Sequence, residues 1–344
     1  MDFRLTDEQE MLAGEVGKLL AATCTGADLR RLLESGEAID RGRWGQILVM
    51  GLPGVMGPEE AGGAGLGAVE MALIAIACGH VALPEPLVEH AGVAVPMLVA
   101  AGADLEKALF GSRIAVGHPI NPLVADADSA AALLLADGDD VHLVPRDQVT
   151  LTRHESIDPF RRLFAARWLP TPATRVGGAA LWDAALDHGA LFAAAQLLGL
   201  AQRAVDMSVA YTKDREQFGK PIGSFQAVKH HLANAQVKIE FARPVILAAA
   251  AMPHASARIS HAKLAATAAA DAATHAAVQV HGAMGFSWEV DVHFLLKRSV
   301  ALGQAWGTPA FHRARVAAHI ISAPLGADRT FDTPPGEEAR REAA

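Results

Sequence analysis

The sequence predicts an α+β fold, mostly α: an N-terminal helical domain, a small central β domain and a C-terminal helical bundle. Three observations carry this. Ala-rich helical stretches such as LFAAAQLLGLAQRA (191–204) and HAKLAATAAADAATHAAVQV (261–280) dominate the second half. Near residue 110 the texture shifts to short apolar runs separated by Gly, Asp, Asn and Pro, which is strand-and-turn punctuation. At 344 residues the chain is long enough for two or three units with their own cores. We place the boundaries at 1–109, 110–176 and 177–325, with a polar tail, 326–344, whose Pro-Pro-Gly and charges predict disorder.

Each element follows from local chemistry. Thr6-x-x-Gln9 is a capping box, in which hydroxyl and amide each satisfy an orphan backbone N–H. Leu12, Val16, Leu19 and Leu20 then recur at helical spacing. A second helix around Arg43–Met50 stops at Gly51, with Pro53 behind it. After the Gly-rich loop GPEEAGGAGLG (57–67), helical patterning resumes over 68–83 and in short pieces over 84–103. RIAVGH (113–118), AALLLAD (131–137), VHLVP (141–145) and FAARWLP (164–170) are the candidate strands. Helices are predicted over about 182–213, 225–250, 259–281 and 290–320.

Composition excludes several classes. Hydrophobic residues make up 51% and charged residues 20%, a globular balance. The net charge of −8 gives no footprint for nucleic acid. Cys24 and Cys78 form neither a metal pattern nor a disulfide framework, which fits a reducing compartment. The opening MDFRLTDEQE carries acids where a signal peptide carries basic and then apolar residues. The apolar region 71–103 is broken by His80, Pro84, Glu85, Pro86, Glu89 and His90, so no membrane span is expected. The expectation is a cytoplasmic protein.

Two stretches carry chemistry. In DREQFGKPIGSFQAVKHHLANAQ (214–236), Gly219 and Pro221 are read as stopping one helix and Ser224 as N-capping the next. Arg215, in the last turn, can fork onto an anionic oxygen pair, and Phe218 offers a flat face to a ring. The same residues can serve the fold alone, Arg215 complementing the helix dipole and Phe218 plugging the core. In VQVHGAMGFSWEVDVHFLLKR (278–298), glycines allow close backbone approach and Gln279 can pair with a base edge. Here too a structural account stands: Gly282 and Gly285 as helix stops, His281 as a core histidine and Trp288 as packing.

Together the two stretches resemble the acyl-CoA dehydrogenase family, with its R-x-Q-F-G-x-P-I-G-x-F-Q-A-V-K-H and Q-x-H-G-x-x-G-F-x-W-E-x-D-x-H-x-x-x-K-R patterns. A weaker likeness covers WGQILVMGLPGVMGPEEAGGAGLGAVEMALIAIA in the N-terminal unit. The resemblance implies N-terminal helices, a central β domain and a C-terminal four-helix bundle. It also implies FAD as cofactor, oxidation of acyl-CoA to the 2,3-enoyl thioester, and an electron-transfer flavoprotein-type acceptor. Carried over, Arg215 and Gln217 meet the FAD pyrophosphate, Phe218 and Gln226 line it, and Gln279 with Gly282 and Ala283 contacts the adenosine end, on a flavin held by the neighbouring subunit.

The chain departs from the family where the reaction needs a carboxylate. The residue before Gly307-Thr308, one family position for the base, is Trp306. The alternative position and its CoA-side arginine fall on Gly189 and Ala190. Asp187 and His188 lie nearby, but each residue of offset turns a side chain about 100° around a helix. Glu289 and Asp291 are expected to hold the bundle together. The family's Thr/Glu-Pro-Gly-x-Gly-Ser and Trp-Ile-Thr/Ser segments, which face the flavin ring, are missing from the β region. No catalytic residue is therefore assigned. The sequence favours a base-less subunit of a heteromeric enzyme of the actinobacterial steroid side-chain type, an α2β2 assembly with a homologous partner. A self-sufficient homotetramer with a relocated base and a non-catalytic scaffold are the alternatives.

Overall fold

In a computed structural model, which describes residues 4–252 and 255–322, the chain begins with short helices. These are α1 (Asp7–Thr23), α2 (Gly26–Ser35), α3 (Arg41–Val49), α4 (Ala68–His80), α5 (Leu87–Glu89), α6 (Val95–Ala100) and α7 (Glu106–Phe110). The Thr6 capping box is formed as expected. Helix α2, which the sequence reading passed over, has its own box, Thr25 with Asp28, and a left-handed stop at Gly36. Helix α3 starts earlier than predicted because the Asp40 side chain accepts the Arg43 N–H. The predicted tail lies outside the described residues.

The strands fall in two small sheets. Strand β1 (Ile114–Gly117) runs parallel to β3 (Ala132–Asp137), which pairs antiparallel with β4 (Asp140–Pro145), and β4 with β7 (Arg175–Gly177). The second sheet orders β2 (Val124–Ala125), β6 (Leu163–Arg167) and β5 (Thr150–His154). Leu133, Leu135, Val144 and Phe164 pack between the sheets.

Helix α8 (Ala179–Asp214), 36 residues long, is the axis of the C-terminal half. It leads through the β8 (Glu216–Gln217) and β9 (Lys220–Pro221) hairpin to α9 (Gln226–Ala251), followed by α10 (Ser256–His281), α11 (Val292–Gln304) and α12 (Pro309–Ser322). The continuous helical stretch predicted over 290–320 is two helices. Between them Ala305 is extended, and Trp306 and Gly307 take positive φ of 57° and 99°. Helix α8 is long and apolar enough to cross a membrane, yet 78% of its apolar window is buried within the protein, as in the core helix of a bundle.

Helix α4 crosses α8 at backbone contact. A Cβ on Gly79 would overlap the Gln196 carbonyl, and one on Gly199 would overlap the Ile76 carbonyl. Two glycines therefore fix the N-terminal helices to the bundle. Gly199→Ala should cost about 1–3 kcal/mol of stability, read as a lower urea midpoint at unchanged m value. Gly14→Ala, in open space on α1, should add about 0.5–1 kcal/mol of stability, read as a higher urea midpoint.

Candidate functional site

Helix α8 ends at Asp214 because Arg215 turns extended, at φ −76° and ψ 120°, while its N–H still reaches the Tyr211 carbonyl at 2.9 Å. The chain then makes a hairpin whose central residues, Phe218 and Gly219, have φ of 56° and 76°, the two positive values a type I′ turn requires. Ile222 N–H donates to the Arg215 carbonyl at 2.8 Å and closes it. Gly219 and Pro221 thus build the turn after the helix has already stopped. Ser224 is not the N-cap. It ends a 3-10 turn, Ile222–Ser224, and Phe225 occupies the cap position without a side-chain bond.

The corner faces outward. Phe218 is 91% exposed, which removes its reading as a core plug. Arg215, Gln217 and Gln226 are exposed, and Arg215 makes no ion pair among the described residues. The Lys220 Nζ lies 4.4 Å from the Phe225 ring centroid.

The second stretch lies at the same end of the bundle. His281 is buried and stacks on Tyr211, with centroids 4.2 Å apart and planes 23° apart, so it is a packing histidine as the structural account had it. Burial holds its pKa below the ordinary value. Tyr211 is one turn before Arg215, and His281 immediately precedes Gly282, so this stack joins the ends of α8 and α10. Gln279, Gly282 and Ala283 are exposed. Gly282 takes φ 60° and ψ −135°, a conformation suited to glycine. Gly285 packs against the Val278 backbone, where a Cβ would sit 2.7 Å from its carbonyl oxygen. An exposed guanidinium, an exposed ring, three amide side chains and bare backbone are a set of groups that suits a dinucleotide's phosphates and base. Trp288 is 60% exposed rather than packed inside, with Lys297 Nζ 4.2 Å from its ring.

The region where a base is expected is closed. Trp306 is 1% exposed, and its indole lies against Gly189, where any Cβ would overlap the ring. The two alternative base positions of the family are therefore in contact, one filling the space the other vacates. Trp306 N–H donates to Asn121 Oδ1 at 2.9 Å, its indole N–H to Glu89 Oε1 at 3.3 Å, and its carbonyl accepts from His312 Nε2 at 3.0 Å. The His118 ring sits 5.6 Å from Trp306 and edge-on to Trp182 at 5.2 Å. His118 and Asn121 lie in the segment that follows β1. Arg161 pairs with Glu89 at 3.3 Å. Buried Lys263 donates to the Leu302 and Gly303 carbonyls at 2.5 and 3.2 Å, capping α11 just ahead of Trp306, and burial pushes its pKa down to about 7.

Asp187 is engaged as well: it accepts from the Ser256 hydroxyl and pairs with Arg315 at 2.9 Å. Asp291 does not tie bundle helices together as expected. It pairs with Arg30 of α2 at 2.6 Å, because the loop before α11 runs over the N-terminal helices. Sequence reasoning missed Tyr211, Glu89, His118, Asn121, Lys263 and Arg30.

Helices, two small sheets and a helical bundle, in that order, are the architecture of a flavoprotein dehydrogenase. Residues 6–118 match the acyl-CoA dehydrogenase N-terminal domain and residues 177–321 the acyl-CoA dehydrogenase C-terminal domain. The chain belongs to the acyl-CoA dehydrogenase family, whose members are FAD-dependent oxidoreductases. It is 33% identical over 321 residues to acyl-CoA dehydrogenase IpdE2 of Mycolicibacterium smegmatis, covering 92% of this chain and 100% of that protein. It is 30% identical to IpdE2 of Mycobacterium tuberculosis over 328 residues, covering 92% and 99%. Among solved structures, the ChsE4-ChsE5 complex from Mycobacterium tuberculosis superposes with a TM-score of 0.85 at 25% identity, covering 94% of this chain and 100% of that chain. The Tcur3481-Tcur3483 steroid ACAD G363A variant gives 0.81 at 25% identity, covering 92% and 98%.

Acid should loosen the closed pocket. Burial, with the Lys263 ammonium adding to it, pushes His312 down to about 4, and burial pushes His90 down to about 4. Both fall below the unfolded value of 6.5, so their contribution is full above pH 6.5 and is lost as pH falls through 4. Urea midpoints measured across that range should decline, and His312→Asn should flatten the decline.

Proposed function

We propose that this chain is one subunit of a heteromeric FAD-dependent acyl-CoA dehydrogenase whose catalytic carboxylate comes from a homologous partner. The observation that carries the reading is the contact of Trp306 with Gly189, which fills the base positions of this chain, beside a corner left exposed at the far end of α8. An indole has no proton-accepting group for the α-carbon of a thioester. Two carboxylates beside this pocket are held: Glu89 by Arg161 and the indole N–H, Asp187 by Arg315 and Ser256.

The roles divide by chemistry. Arg215 and Gln217 would bind the FAD pyrophosphate, Phe218 and Gln226 would line it, and Gln279 with the Gly282–Ala283 backbone would take the adenosine. FAD, when bound, accepts the hydride of a 2,3-dehydrogenation. This chain's part is to bind and orient the nucleotide; the partner's part is to remove the α-proton and enclose the flavin ring. The β region favours that division, since the segment after β1 is occupied with Trp306 and α8 through Asn121 and His118. One similar structure is by its title a ChsE4-ChsE5 complex and another a steroid ACAD. These support a heteromeric assembly acting on an acyl-CoA with a steroid-derived acyl group, which we take to be α2β2 and cytoplasmic.

The test is flavin absorbance and particle mass for the chain purified alone and with its co-expressed homologue. Flavin and a defined tetramer should appear on co-expression only; a yellow homotetramer from the chain alone would refute the reading. In the complex, Arg215→Ala should weaken FAD binding about tenfold or more, as expected for loss of a charge-assisted contact, with the mass unchanged.

A further inference from the structure

The loop from Gly282 to Asp291, which carries the backbone proposed to meet adenosine, is exposed over much of its length, with Phe286 at 80% and Trp288 at 60%. Its internal bonds are short-range: Ser287 Oγ donates to the Met284 carbonyl at 3.0 Å, and the Glu289 N–H to Ser287 Oγ at 3.3 Å. At its leading edge the His281–Tyr211 stack fixes it to the bundle. Farther along, the Trp288 ring meets His293 and Lys297 of α11, and the trailing edge is held in addition from outside the bundle.

Helix α2 supplies that hold. Gly26 and Arg30 are four residues apart and share one face of the helix. The Asp291 carboxylate lies directly on Gly26, where a Cβ would overlap it. It therefore meets the positive end of α2, a favourable charge–dipole arrangement. Arg30 Nη2 is 2.6 Å from Asp291 Oδ1 and also donates to the Glu289 carbonyl at 3.1 Å. One guanidinium thus grips a side chain and a main-chain oxygen of the same loop. Helix α11 begins at the next residue, Val292, so the loop cannot slide past the clasp.

We infer that α2, through Arg30 and Gly26, is a positioning element for the nucleotide site, ordering the Gly282–Asp291 loop before FAD arrives. This rests on the function proposed above. An unanchored loop would lose its conformational freedom on contact with the nucleotide, and that loss would weaken binding; an anchored loop has already lost it. Arg30 and Asp291 are both partly exposed, so water screens the pair and the expected effect is moderate.

The experiment uses the co-expressed complex, stripped of flavin and titrated with FAD, with amide hydrogen exchange over 282–291 read in the FAD-free state. Arg30→Met should speed exchange in the loop and weaken FAD about fivefold, and Arg30→Lys should recover part of both. Gly26→Ala, which displaces Asp291 while leaving Arg30 in place, should reproduce the Arg30→Met result at unchanged particle mass. Arg215→Ala reports on the clamp independently. If Arg215→Ala weakens FAD while Arg30→Met leaves either loop exchange or FAD affinity at wild-type values, the anchor is wrong and the clamp stands. If Arg215→Ala leaves FAD binding unchanged, the proposed function falls, and the anchor's role toward FAD falls with it.

Discussion

The contact on which the closed pocket and the elements around it depend is a tryptophan ring laid on a glycine. Trp306 can be buried only because Gly189 has no side chain, and Gly189 leaves no void only because the indole fills it. Such a ring buries on the order of 200 Å². That gain can hold a residue with φ of 57° in a conformation that bulky side chains avoid. Asn121, His312 and Glu89 each take one polar group of Trp306, so the strained backbone is fixed from three directions. The departures from the family pattern at 189, at 306 and after β1 are then one packing unit. Reverting any one alone would meet the other two.

Buried charge elsewhere serves to join the parts of the chain. Arg43 forks onto Glu85 between α3 and the start of α5, with 2.7 Å contacts. Arg298 of α11 bonds both Asp158 and the Leu83 carbonyl, and Arg162 reaches Asp126 and Asp128. These cations are spent inside the fold, where breaking a pair would strand a charge. Arg215 is different. It is exposed at the end of a helix, with its backbone N–H on the Tyr211 carbonyl, and among the described residues its guanidinium makes no ion pair. The contrast gives the corner its meaning as a surface for something else.

Much of the fold was legible because it rests on local chemistry. The Thr6 capping box, the apolar runs of the strands and the long Ala-rich helices all formed where the residues indicated. Misses occurred where local signals competed or where tertiary contacts decided. Helix α2 carried a cap at Thr25, a glycine stop at Gly36 and Leu29, Leu32 and Leu33 at helical spacing, so its signals were present and only its length of ten residues weakened them. Ser224 had the right residue type at the wrong phase, because a 3-10 turn uses it first. The break at Ala305–Gly307 depends on Asn121 and His312, which no nearby residue announces. The motif residues could be named from the sequence, but their meeting at one end of the bundle follows from the packing of α8 on α10, which the Tyr211–His281 stack completes. The partner of Asp291 could not be read either, since Arg30 lies far away in the chain.

A single helix connects the closed pocket to the exposed corner. Gly189 lies near the start of α8, and Arg215 follows its last residue. At 1.5 Å per residue the 26 steps between them span about 39 Å. A dinucleotide gripped at Arg215 cannot lay its flavin beside Gly189 of the same chain, whatever fills that pocket. The clamp and the closed pocket are therefore independent features. Closing the pocket at Gly189 need not disturb the corner at Arg215, and an exposed corner says nothing about chemistry at Gly189. A helix of this length separates them so completely that one end can be sealed for stability while the other stays exposed, and that separation is what would make the proposed base-less subunit a physically coherent half of an enzyme.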